Sequence, residues 1–477
     1  MHPDRFVRHA ATNGREKGTL VRMEHPLYNG RRTKASTTRS TRRCDPLKPF
    51  RFIHAADLHL DSPFKGLSAL PSAVRDTVRE STFVALGRLV ETAIAERAAF
   101  VVVAGDIYDS SDRSLRAQLR FQRAVETLAE RGIPVYAVHG NHDPDDGRKA
   151  ALRWPDAVRF FSSAEAECFA VTDPVRGDLA YVHGWSYPTA AVTDNPLPRF
   201  GRPRPGAFNI GLLHANVDGD ADHDNYAPCS RRELATAGFD YWALGHIHAR
   251  RSWGERPSIV YPGNLQGRSV RETGPKGCCI VDVTASGNVS VRFRAADAVR
   301  WFAADVPIDG VTGEQELRDR LEAKMRECEE EAEGRPSIVR FRLAGRGALH
   351  RALRRPGMLQ ELAEELREPE RRRAEAGAGE PFVWIESIQA RTASELDLRQ
   401  AAGRNAFLGD LLQLSAALAA DEAAWRTFRD EALRPMADHP KLGALLASMA
   451  EEEREQWLAE AESLAAELVA EEEGWDE

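Results

Sequence analysis

The chain has 477 residues, 42% of them hydrophobic and 29% charged, with a formal net charge of −8. That is enough for two to three domains of roughly 150 residues, and it excludes a wholly disordered chain. No run approaches the ~18 apolar residues of a membrane span, no secretory leader is visible, and six cysteines without CxxC spacing argue against a structural zinc or a disulfide framework. A reducing, cytoplasmic setting without membrane contact is expected.

Charge is uneven along the chain. Residues 1–50 hold 12 Lys/Arg against 4 Asp/Glu, and residues 451–477 hold 1 against 12. The middle therefore has no basic excess, so any nucleic-acid affinity must be local or come from metal ions. Residues 1–48 read as a basic, disordered extension, with a nucleic-acid arm and a targeting peptide as the alternatives.

From residue 50 the pattern changes. PFRFIHAAD is a short apolar run ending in a carboxylate, and a helix is expected over roughly 72–98. AAFVVVAGDIYD reads as a strand buried on both faces. A helix over roughly 113–131 leads to IPVYAVHGNHD, another buried strand. This β-α-β-α-β alternation marks an α/β layered domain. After about 155 many short strands follow, from VRFF to GCCIVDVT and VSVRFRAA, and suggest a second sheet packed on the first. The expected fold is a two-sheet α/β sandwich flanked by helices over 49–296. A small α/β module over 297–393 should follow, with helices near 313–333 and 348–367 and a loop at REPERRRAEAGAGE. A helical, acidic region over 394–477 completes the chain, with breaks at Pro435 and Pro440.

The polar residues at the strand ends carry the chemistry. Asp57 and His59 follow the first strand, Asp106 the second, and Asn141, His142 and Asp143 the third. His214, His246 and His248 end later strands. In layered α/β folds such ends face one crevice where ligands bind. Carboxylate, amide oxygen and imidazole suit two divalent ions, with manganese first and iron(II) or zinc as alternatives. Two ions clamp a phosphoryl group and activate water, so no Ser or Cys nucleophile is required. A single such histidine is usually structural; seven polar ends in this order are not. His54, His139 and His183 read as core or packing residues. Asp109 and Asp112 read as turn and helix-cap residues, and Asp61 as a candidate partner for His59.

The ordered set D-x-H, G-D, G-N-H-D, H and G-H-x-H resembles the calcineurin-like metallophosphoesterase superfamily. Residues 50–295 resemble the nuclease subunits of DNA-repair complexes, the SbcD type. HDNYAPC, GHIHAR, YPGNLQGR and RETGPKG are similar to the YhaO-like exonuclease branch. The resemblance implies Asp57, His59 and His248 at one metal, Asn141, His214 and His246 at the other, and Asp106 between them. It implies His142 as general acid, with Asp143 orienting His142 or shaping the turn. GDIYDSSD lacks the aspartate-arginine-glycine of protein phosphatases, which counts against that branch. In the loop 263–277, Arg268, Arg271 and Lys276 are candidates for contact with DNA phosphates, against the plainer reading of a solvated hairpin.

The resemblance further implies DNA as substrate, with exonuclease and some single-strand endonuclease action. It implies docking of the helical tail on an SMC-like, YhaN-like ATPase subunit, and a homodimer by family analogy alone. Two other readings stay open: a small-molecule phosphodiesterase or nucleotidase, and a scaffold subunit.

Overall fold

The structure, a computed structural model, describes residues 47–64, 70–109, 114–146, 150, 152–376, 381–394 and 406–439, with isolated positions beyond. The basic stretch 1–46, Asp112, the region around Pro440 and nearly all of the acidic terminus lie outside the described residues.

Strand and helix alternate as the apolar runs predict: β1 (Phe50–Ala55), α1 (Ser72–Ala95), β2 (Phe100–Ala104), α2 (Leu115–Glu130), β3 (Val135–Val138) and β4 (Val158–Phe160). These four strands pair in parallel, as connections long enough to hold a crossover helix allow. The next segments are β5 (Glu167–Asp173), β6 (Gly177–Gly184), β7 (Asn209–His214), α3 (Arg231–Thr236), β8 (Tyr241–Gly245), β9 (Arg251–Trp253) and β10 (Ser258–Tyr261). They build a second sheet in the order β5-β6-β7-β8-β10-β9.

The strands after 155 do not all join that second sheet. β4 stays beside β3. β11 (Gly277–Val283) and β12 (Val289–Ala295) return to the first sheet, whose order is β12-β11-β1-β2-β3-β4. β11 lies antiparallel to β1, pairing Phe52 with Val281 and His54 with Cys279. β11 is buried on both faces, so its composition alone does not say which sheet the pair completes.

Side-chain alternation sets the layers. Phe52, Phe100 and Val102 point between the sheets and meet Phe208, Ile210, Leu212 and Tyr241. Their neighbours Ile53, Val101 and Val103 point the other way, onto Phe83, Leu86, Leu89 and Phe121 of α1 and α2. Burying each of these side chains is worth about 1.5–3 kcal/mol. Trp242, Leu244 and Tyr261 fill a third layer on the outer face of the second sheet. The sandwich therefore fixes the strand ends rigidly.

A separate three-stranded parallel sheet follows: β13 (Arg300–Pro307), β14 (Ser337–Arg346) and β15 (Val383–Ala393), crossed by α4 (Glu314–Glu331) and α6 (Met358–Glu375). The single helix expected over 348–367 is instead α5 (His350–Leu353) and α6, separated by Gly357 at φ 87°. The stretch read as a loop from Arg367 is helical to Glu375, through Pro369. Tertiary contacts outweigh the proline: Arg367 donates to the carbonyls of Ile385 and Glu386, and Glu370 accepts from Val383 N at 2.6 Å. The tail forms α7 (Ala406–Ala420) and α8 (Glu422–Ala437), and Pro435 sits inside the last turn of α8 rather than breaking it. Among the described residues no helix is long and apolar enough to cross a membrane.

Candidate metal centre

The chain leaves β1, β2, β3, β7 and β8 at one edge of the sandwich, and the seven predicted ligand positions converge there. On one side Nε2 of His59 lies 3.2 Å from Nε2 of His248, and Asp57 Oδ1 lies 4.0 Å from the latter. On the other, Asn141 Oδ1 lies 3.0 Å from His214 Nε2 and 3.2 Å from His246 Nδ1. Asp106 Oδ2 stands between the groups, 3.7 Å from His59 Nε2 and 3.4 Å from His214 Nε2.

The backbone bends hard to achieve this. Asp57, His59, Asp106 and His246 adopt φ of 52°, 41°, 49° and 101°, a region that side chains favour little and that recurs at functional sites. Two glycines allow the close approach. A Cβ at Gly140 would fall 2.3 Å from Asp106 Oδ1, and one at Gly245 would fall 1.8 Å from the Ala104 carbonyl oxygen.

The donor set fits divalent cations. Asp57 and Asp106 are each 1% exposed, and carboxylates this dry persist when paired or when holding metal. Three imidazoles are anchored through the nitrogen that faces away from the cluster. His214 Nδ1 bonds Ala104 O at 2.9 Å, His246 Nε2 bonds Asp224 O at 2.8 Å, and His248 Nδ1 meets Glu272 Oε1 at 2.8 Å. This leaves His214 Nε2, His246 Nδ1 and His248 Nε2 turned inward, the arrangement that tunes metal-binding histidines. Among the described residues, His59 Nδ1 is buried without a hydrogen-bond partner. Burial alone would lower the His214 pKa, yet Asp106 and Asp57 push it up to about 9. Burial raises Asp57, whereas Asp106, burial notwithstanding, is held well below the usual range by His214 and His59.

His142 lines the same cleft of about 330 Å³. Its backbone N donates to Asp106 Oδ1 at 2.9 Å, and its Nδ1 lies 2.8 Å from Asp109 Oδ1. Asp109 is therefore the partner of His142, and more than the turn residue that its position suggests. Asp143 does not orient His142. It shapes the turn, accepting from Gly140 N at 2.8 Å and Ile107 N at 3.1 Å and bracing His139. Asp61 does not reach His59: it binds Ser114 Oγ at 2.6 Å and Arg116, at the start of α2. His54 is a core residue, held by Tyr241 and the Leu244 carbonyl, with its pKa lowered by burial to about 3.

The loop before β11 enters the site. Arg268 lies within 3.3 Å of His248 Nδ1 and Glu272 and 3.5 Å from Asp109. Lys276 is half-buried and donates to the His248 carbonyl at 3.0 Å, whereas Arg271 is exposed. The loop also grips the next module. Trp301 Nε1 donates to Gly267 O at 2.7 Å, and Gln266 binds Val299 O and Ala298 N. Glu272, like the carbonyls of Ala104 and Asp224, gave no recognisable signal in the sequence.

Residues 50–250 match the calcineurin-like phosphoesterase family model, and residues 301–393 match the metallophosphoesterase YhaO middle domain. The chain belongs to the calcineurin-like metallophosphoesterases, a family that uses divalent metals. It is 38% identical over 351 residues to the Uncharacterized metallophosphoesterase YhaO of Bacillus subtilis, covering 73% of this chain and 83% of that one. It is 30% identical over 237 residues to the DNA double-strand break repair protein Mre11 of Aeropyrum pernix, 47% of this chain and 56% of that one. It is 25% identical over 295 residues to a subunit of the nuclease SbcCD of Bacillus subtilis, 52% of this chain and 73% of that one.

Proposed function

We propose that this protein is a two-metal phosphodiesterase that hydrolyses DNA, acting as an exonuclease in repair. One observation carries the reading: inward-facing nitrogens with carboxylate and amide oxygens form two groups that share Asp106, beside a dyad of His142 and Asp109. Similarity to proteins named as a nuclease subunit and a break-repair protein supports DNA as the substrate.

Asp57, His59 and His248 would hold one cation, Asn141, His214 and His246 the other, and Asp106 both. Two divalent ions there supply charge neutralisation for a phosphoryl group and activation of water at neutral pH. His142, held by Asp109, delivers a proton to the departing sugar oxygen. Arg268 neutralises phosphate charge beside His248. Manganese is the expected metal, with iron(II) and zinc as competitors. End-labelled linear duplex DNA tests the reading. Manganese-dependent degradation, abolished by chelator and by His142→Ala, is expected; intact DNA under every metal tried, with and without a partner ATPase, sinks it.

For the tail, docking on the coiled-coil base of an SMC-like ATPase is the reading that the surface favours. Phe407 and Leu414, seven residues apart on α7, are 64% and 59% exposed, and Phe428 of α8 is 46% exposed. Such an apolar row suits a helical partner.

A further inference from the structure

Besides the seven ligand positions and His142, a third kind of residue lines the cleft. The loop after β7 carries Asn216, Asp220, Asp222, His223 and Asp224. Asn216 is fully buried and clasps this loop: its Oδ1 accepts from Asp220 N at 2.7 Å, and its Nδ2 reaches the carbonyls of Asp220, His223 and Asp224. His223 Nδ1 lies 3.2 Å from Asp220 Oδ1. Asp220 is fixed in turn by an ion pair with Arg251 and by Asp222 N at 3.0 Å. The His223 ring stands 5.3 Å from the His248 ring and 5.6 Å from the His246 ring, so it overlooks one histidine of each ligand group.

With Nδ1 tied back, Nε2 is the polar atom that the ring offers to the cleft, and it makes no hydrogen bond among the described residues. Its place is that of a group awaiting substrate.

Resting on the phosphodiesterase reading above, we propose that His223 is a substrate-contacting residue that donates a hydrogen bond from Nε2–H to the scissile phosphodiester while its Nδ1–H is given to Asp220. It does so from the His246–His248 side of the cleft, whereas His142 stands on the His59 side. The two imidazoles, each oriented by its own aspartate, bracket the phosphate. A second phosphate further along the His223 rim would meet the exposed carboxylates of Asp222 and Asp224. The site therefore holds one phosphate there, as suits a strand end, and the continuing strand leaves on the side of Arg268 and Arg271.

The full chain loaded with manganese is compared with His223→Ala, His223→Gln and Asp220→Asn. The readouts are bound metal per chain, kcat and KM on bis(p-nitrophenyl) phosphate, and tungstate affinity by calorimetry. Unchanged metal content is expected. In His223→Ala a loss on the order of 10²-fold in kcat is expected, with tungstate binding weakened about tenfold. His223→Gln, whose amide can still donate, should recover part of both. Unchanged kcat and tungstate affinity overturns the proposal, and so does loss of one metal equivalent, which would make His223 a ligand. A wild-type protein that binds metal and tungstate but cleaves no diester sinks the phosphodiesterase reading and leaves the tungstate comparison to decide this one. If the wild type binds no tungstate and cleaves no diester, both fall.

Discussion

Nδ1 of His142 lies 2.8 Å from Oδ1 of Asp109, a carboxylate only three residues beyond Asp106. One turn thus supplies both the oxygen that stands between the two donor groups and the anion paired with His142, the proposed proton donor. Ser62 Oγ, at 2.6 Å, fixes the second oxygen of Asp109.

Burial opposes a charge on His142, but the Asp109 hydrogen bond and the Asp106 charge raise its pKa above 6.5. In its proposed role of general acid it works in the protonated form, so activity should hold below that raised pKa and fall as pH climbs through it. Asp109→Asn removes the nearest anion, lowers the His142 pKa and moves the alkaline limb to lower pH. The pH profile of kcat/KM should show this shift with a loss of about 10²-fold or more at the optimum; an unmoved limb assigns that ionisation elsewhere.

Glu272 is predicted to act through His248. Burial works against its ionisation, but His248 and Arg268 hold it well below the usual carboxylate range. Glu272→Gln should weaken metal binding or activity about 10–100-fold. Titration with manganese followed by electron paramagnetic resonance separates weaker binding from slower turnover.

Asp106 faces both ligand groups, so its loss should disturb two ions at once. Metal analysis of Asp106→Ala should give well under two ions per chain, and Asp57→Ala should lose chiefly one. Equal metal content in both would contradict a shared position for Asp106.

Metal binding should also stabilise the fold. Cations at 100 times their Kd add about 2.7 kcal/mol per site. Thermal unfolding should therefore occur several degrees lower after chelation and recover on adding manganese. An Asp106→Ala chain should show a smaller gap between the two conditions.

Removing residues 406–477 tests the tail. Cleavage of bis(p-nitrophenyl) phosphate should survive, because all seven candidate ligand positions precede it, while co-purification with the proposed partner ATPase should be lost. Retained association would move the docking surface to another face.

The ligand positions were legible because each is a polar residue closing an apolar run, and strand order brings such ends to one edge. His223 and Glu272 were not, because they reach the cleft from loops whose paths depend on side-chain clasps such as Asn216. The sheet to which β11 and β12 belong was hidden for another reason: a strand buried on both faces fits either sheet. Helix α6 runs through Pro369 because anchors on β15, distant in sequence, decide it.

The loop bearing Glu272 grips His248 on one side and the indole of Trp301 on the other. A chimera that swaps residues 301–393 for a homologous module must therefore carry a matching indole and loop. Otherwise the graft would unsettle an imidazole in a different part of the sequence, and the damage would be mistaken for a fault in the catalytic half.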